Sequence, residues 1–128
     1  MGLNHETAPV EVREHFAVPV EQQGERANEL TALSTIAEGV VLSTCNRTEV
    51  YVAAENIDMG ISILRDHLAK EHDHEALHHL YAKSGDDAKR HLFSLVCGLD
   101  SMVLGETEIF GQVKQAYKQA LEAGATKG

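Results

Sequence analysis

Residues 39–52 constrain the fold more than any other stretch of this chain. Gly39-Val40-Val41-Leu42 is a short, β-branched apolar run that ends in Ser43-Thr44-Cys45-Asn46-Arg47, and Thr48 to Val52 reads as its antiparallel return. A strand pair of this kind needs covering helices, and helical periodicity flanks it on both sides. Pro19, a favoured first helical residue, opens an amphipathic pattern through Gln23, Ala27, Leu30 and Leu33 to Ala37, stopping at Gly39. Beyond the pair, Ile57, Ile61, Leu64 and Leu68 recur at helical spacing. Leu77 to Ala82 reads as a further strand, Gly2-Leu3-Asn4-His5 as the tail of another, and Ala8-Pro9-Val10 as its extended exit. The predicted order is βαββαβ, an α+β ferredoxin-like or split βαβ arrangement, with an antiparallel sheet covered on one face.

After Ser84 the pattern becomes helical. Ser84-Gly85-Asp86-Asp87 is a helix start with acidic residues in its first turn. One helix is expected from about Asp86 to Cys97, broken at Gly98, and another from about Glu108 through Ile109, Val113, Ala116 and Ala120, ending before Gly124. Residues 99–106 between them are too polar at their ends for core and too apolar for a linker, as in the wall of a site. The expected organisation is a single domain over 1–128, with a ferredoxin-like part at 1–83 and a helical part at 84–128. A chain of 128 residues with 43% hydrophobic content has room for one core. The abrupt ends lead to the expectation that the chain is the front part of something longer.

Composition narrows the setting. Cys45 and Cys97 lie far apart and form no short-spaced pair, which fits a reducing, cytoplasmic location. No apolar run approaches the roughly 18 residues of a membrane span, and the N-terminus lacks the pattern of a secretory signal. A formal charge of −9 argues against non-specific nucleic-acid binding through this chain alone.

Cys45 falls where a strand gives way to a turn, beside an amide and a guanidinium. That is how a nucleophilic thiol is presented, with Arg47 placed to favour the thiolate. A small buried hydrophobe is the competing reading, as for many free cysteines. Cys97, in a helix with Leu95 and Val96, reads as packing. His67, His72, His74, His78 and His79 invite a metal reading, since imidazoles at i and i+4, as in His74 and His78, share a helix face. No cysteine or well-placed carboxylate completes a tetrahedral set, so no metal is expected and a solvated helix end is the alternative.

The Asn-His and Ala-Pro elements at the start, Ser43 to Glu49 in the middle and Gly98 to Gln112 near the end, in that order, strongly resemble the N-terminal catalytic domain of glutamyl-tRNA reductase. The resemblance covers essentially the whole chain. It implies that Cys45 attacks the ester of glutamyl-tRNA to leave a glutamyl thioester, which NADPH reduces to glutamate-1-semialdehyde for tetrapyrrole synthesis. It implies His91 as a second catalytic residue, and Thr44, Asn46, Arg47, Ser101, Glu106, Thr107, Glu108 and Gln112 as substrate contacts. Arg47 would pair with a glutamyl carboxylate through its guanidinium fork. Thr44 and Asn46 read equally as satisfying turn backbone, and His91, without the resemblance, as an ordinary helix histidine. The family's commonest pattern reads Glu-Pro-Gln where this chain carries Glu106-Thr107-Glu108, and an extra carboxylate turned towards an acidic substrate would cost binding. Ser101 and Gln112 therefore fit the pocket better than Glu108.

The resemblance also implies partners and limits. Glutamyl-tRNA is the substrate, glutamate-1-semialdehyde aminomutase a partner in the family, and the full-length form a homodimer through a region this chain lacks, leaving the chain itself monomeric. No Gly-x-Gly-x-x-Gly fingerprint occurs in the sequence, so NADPH is expected to bind elsewhere and this chain to reduce nothing by itself. Two other classes stay open: a ferredoxin-like binding module without chemistry, and a cysteine hydrolase with His91 as base for Cys45.

Overall fold

The structure is a computed structural model and describes residues 1–72, 74–96 and 108–125. The elements in order are β1 (Gly2–Asn4), α1 (Val10–Phe16), α2 (Val20–Thr31), β2 (Ile36–Ser43), β3 (Arg47–Ala54), α3 (Ile57–Glu71), a 3₁₀ helix (His74–His79), α4 (Gly85–Val96) and α5 (Glu108–Glu122). The sheet runs β1-β3-β2, antiparallel throughout, with Asn4 opposite Arg47, Gly2 opposite Glu49 and Val41 opposite Val50. Since β3 lies between β1 and β2, this is the split arrangement read from the sequence, and the α+β class stands.

Four expectations are corrected. Ala8-Pro9-Val10 is not an extended exit: Pro9 caps α1, and Val12 and Phe16, one helical turn apart, both pack into the cluster of Leu3, Ala8 and Leu77. The first long helix ends at Thr31 rather than at Gly39, because Ile36 is a buried strand residue paired with Ala54. Thr35 makes the junction at φ 68°, a strained setting for a β-branched residue, and its hydroxyl and carbonyl oxygens accept from Asn56 and Glu55. The first half of the strand expected at 77–82 is instead the end of the 3₁₀ helix. Ala76, Leu77 and Leu80 bury the same side, which is helical spacing and not strand alternation. Only Tyr81 joins the sheet edge, through paired backbone bonds with Gly2 of 2.8 and 2.9 Å.

The fourth correction concerns coverage, because the sheet is covered on both faces. On one, Val41 and Val50 meet Leu30 of α2 and Leu64 of α3. On the other, Leu42 and Tyr51 meet Leu92 of α4 and Val113 and Ala116 of α5. The end of α5 wraps the outer edge of β2, where the Gly39 N–H donates to the Ala125 carbonyl at 2.8 Å. Gly24 lets α2 approach α5, since a Cβ there would stand 2.7 Å from the Gln119 carbonyl oxygen. Among the described residues no helix is long and apolar enough to cross a membrane.

Candidate functional site

The β2–β3 hairpin closes with the Thr44 N–H donating to the Arg47 carbonyl at 2.8 Å, which leaves Cys45 and Asn46 as a two-residue tip. The Thr44 hydroxyl accepts from the Asn46 N–H at 3.1 Å, so this side chain and the Asn46 backbone do satisfy the turn. Beneath the tip, the Ser43 hydroxyl accepts from the Val18 N–H and shares a hydrogen bond with the Thr48 hydroxyl, both at 2.9 Å. Buried Gln23 donates to the carbonyls of Val18 and Ser43 at 3.2 Å. The tip is thus braced from α2, and its thiol faces outward: Cys45 is free and exposed, which disposes of the buried-hydrophobe reading. Arg13 of α1 reaches the Cys45 carbonyl at 3.5 Å, a contact with no signal in the sequence pattern.

Two positions along β3 the chemistry turns inward. Strand alternation places Arg47, Glu49 and Tyr51 on the face covered by α4. Arg47 and Glu49 are each only 2% exposed, with Arg47 Nη1 at 3.6 Å from Glu49 Oε2. Arg47 is therefore no surface arginine on a turn. Glu49 also accepts from the Tyr51 hydroxyl at 2.6 Å, from the Tyr81 hydroxyl and from His91 Nε2. His91 is 14% exposed, and its ring centroid lies 5.4 Å from that of Tyr81. Burial pushes the Glu49 carboxyl up, but the hydrogen bonds from Tyr51, Tyr81 and His91 outweigh it and hold the group below its ordinary value. Burial, then the charge of Glu49, pushes the Tyr51 phenol far up.

Gly2 is part of this arrangement. A Cβ there would stand 2.6 Å from the Thr48 carbonyl oxygen and 2.7 Å from Glu49 Cγ, so only glycine leaves the carboxylate its room. Glu49, Tyr51, Tyr81 and His91 line one end of a cavity of about 160 Å³, which continues over Val52 and Leu64.

The structure thus brings Arg47 and His91 together on Glu49, and sets Cys45, Thr44 and Asn46 on the hairpin tip that leads into them. Ser101, Glu106 and Thr107 lie outside the described residues, as do Cys97 and the 99–106 segment. Glu108 begins α5, with its side chain outside the description. Gln112 is half-buried on α5, and its Oε1 is buried without a hydrogen-bond partner among the described residues. Glu49 was missed by the sequence reading. Its alternation with apolar Val50 and Val52 reads as a solvent-facing strand position, so the local pattern held no signal for it.

The sequence-grouped histidines disperse. His79 Nδ1 meets the Thr7 carbonyl at 2.8 Å, and His72 stacks on Phe16 at 3.9 Å. His67 stands with Glu29 and Glu71, one ligand atom from each lying within 4.8 Å of the others, but Arg26 already pairs with Glu71 at 3.5 Å. The side chain of His74 lies outside the description.

Fold and site together define an α+β domain that presents a cysteine on a hairpin tip above a buried carboxylate, imidazole and guanidinium. The profile of the family described as "Glutamyl-tRNAGlu reductase, N-terminal domain" matches residues 1–128. A glutamyl-tRNA reductase of Akkermansia muciniphila is 46% identical over 128 residues, which cover 98% of this chain and 38% of that protein. One from Marinobacter nauticus is 46% identical over 129 residues, 98% of this chain and 30% of the relative. The solved structure of glutamyl-tRNA reductase from Methanopyrus kandleri superposes with a TM-score of 0.73 at 34% identity, covering 98% of this chain and 28% of that one. The chain belongs to the glutamyl-tRNA reductase N-terminal domain family. It spans 38% or less of the length of each of these relatives.

Proposed function

We propose that this chain is the acyl-transfer domain of a glutamyl-tRNA reductase acting in tetrapyrrole biosynthesis in the cytoplasm. The Cys45 thiolate attacks the aminoacyl ester of glutamyl-tRNA, the ribose oxygen leaves, and the glutamyl group stays on sulfur as a thioester. The observation that carries this reading is the exposed Cys45 thiol on a two-residue tip whose strand leads straight into buried Arg47. Arg47 is the group that holds a glutamyl carboxylate, since a guanidinium fork buried beside the hairpin tip can meet a carboxylate in two parallel hydrogen bonds. Gln112, with its buried oxygen unpartnered among the described residues, suits an ammonium or amide donor on the substrate. The Thr44, Asn46, Ser101, Glu106, Thr107 and Glu108 contacts rest on the family match alone.

The chain's own residues do not fit NADPH. Its sheet is wholly antiparallel among the described residues, with no parallel βαβ turn to present backbone amides to a pyrophosphate, and the sequence has no Gly-x-Gly-x-x-Gly. The reduction to glutamate-1-semialdehyde is therefore assigned to other parts of a longer protein, as are dimerisation and any contact with an aminomutase. The chain alone is expected to be monomeric by light scattering.

Mass spectrometry of the chain after incubation with glutamyl-tRNA and no nicotinamide cofactor tests the reading. A hydroxylamine-labile glutamyl adduct on the Cys45 peptide is expected, strongly reduced in Arg47→Ala and absent with an aminoacyl-tRNA that lacks a side-chain carboxylate. Equal acylation by both charged tRNAs would instead favour an unselective cysteine hydrolase.

A further inference from the structure

Four groups converge on the Glu49 carboxylate, and all four are donors or cations: the Arg47 guanidinium and Tyr51 hydroxyl from β3, the Tyr81 hydroxyl from the sheet edge, and His91 Nε2 from α4. No other acid faces Glu49 among these groups. A carboxylate in such a setting only accepts, so the nitrogen that meets it must carry a proton. In neutral His91 that nitrogen is Nε2, and Nδ1 is left as the acceptor.

We infer that Glu49 is a positioning residue for acyl transfer: it locks His91 in the Nε2–H tautomer, so that Nδ1 is the atom that moves the proton. This rests on the acyl-transfer reading above. The proton of the Cys45 thiol passes to His91 Nδ1, directly or through water, and the thiolate so formed attacks the ester carbon. The proton then passes to the departing ribose oxygen as the ester C–O bond breaks. The Nε2–H stays on Glu49 throughout and stabilises the imidazolium that forms between the two steps. Tyr51 and Tyr81 hold the carboxylate in place, and Gly2 leaves room for it.

Nitrogen-15 spectra of the chain with labelled histidine test the assignment without relying on activity. At a pH where His91 is neutral, its Nε2 is expected to resonate as a protonated and its Nδ1 as a bare nitrogen, with that preference lost in Glu49→Gln. Single-turnover transfer from glutamyl-tRNA is expected to fall about 100-fold or more in Glu49→Gln and in His91→Ala. The double variant is expected to be no slower than His91→Ala, since both act through one imidazole. An Nδ1–H tautomer in the native chain, or single losses that multiply in the double variant, would overturn the inference. If Glu49→Gln does not fold, the native tautomer alone decides. Transfer that survives Cys45→Ser would sink the acyl-transfer reading while leaving the tautomer assignment standing.

Discussion

The two faces of one small sheet are built on opposite principles. Towards α2 and α3, Val41, Val50, Leu30 and Leu64 make an apolar core whose stability follows buried area, about 1.5–3 kcal/mol for each fully buried large side chain. Towards α4, the same strands carry Arg47 and Glu49 at 2% exposure, tied to Tyr51, Tyr81 and His91. Burying an ion pair costs desolvation that its attraction barely repays, so an apolar pair of similar volume would serve stability as well or better. On the proposed function, the polar groups of this face are held in place beside the hairpin that carries Cys45, while the apolar face contributes stability alone.

The largest effect should come from breaking the polar face on one side only. Arg47→Ala leaves a buried carboxylate short of a partner, and chemical denaturation should register a loss of about 3–5 kcal/mol. Leu64→Ala on the apolar face should cost about 2–5 kcal/mol through a cavity, without altering the reactivity of Cys45 to a thiol reagent. Gly2→Ala presses on Glu49 and the Thr48 carbonyl, and is expected to cost about 1–3 kcal/mol and to disturb the His91 resonances. The Arg47→Met, Glu49→Leu double variant sharpens the comparison. It should recover most of the stability lost in Arg47→Ala yet show no acyl transfer, and recovery of both would contradict the division of labour.

The smallest effects are those of pH. Burial holds His72 below the ordinary histidine value, partly offset by Glu71, so the unfolded chain takes up that proton first. Stability is present above about pH 6.5 and declines below it until the folded His72 itself titrates. Glu49 adds a second loss below about pH 4.3 by the same sign, because its folded form is also the poorer proton acceptor. Urea midpoints measured against pH should show the first decline vanish in His72→Phe, which keeps the stack on Phe16.

Much of the fold was legible because its periodicities are local. The hairpin, α3, α4 and α5 all lie close to where apolar spacing placed them. Failures came where a tertiary contact decided the outcome. Leu77 enters the Phe16 cluster as part of a 3₁₀ turn, and Pro9 opens a helix because Val12 and Phe16 find a shared pocket. Ile36 left the helical pattern for a strand because Ala54 stood across from it. In the candidate site, Cys45 and Arg47 were singled out by the hairpin sequence itself, and His91 only by the family likeness. Glu49 was not, because a carboxylate in a strand carries no local sign that two tyrosines and a histidine will meet it from elsewhere in the chain.

Transfer of labelled glutamate from glutamyl-tRNA to this chain, without NADPH, tests the account most directly. Label on the native chain, or free glutamate released by it, is expected, and neither with Cys45→Ser. Equal label or release by the native chain and the Cys45→Ser variant, or none by a longer chain that binds the tRNA, would contradict it.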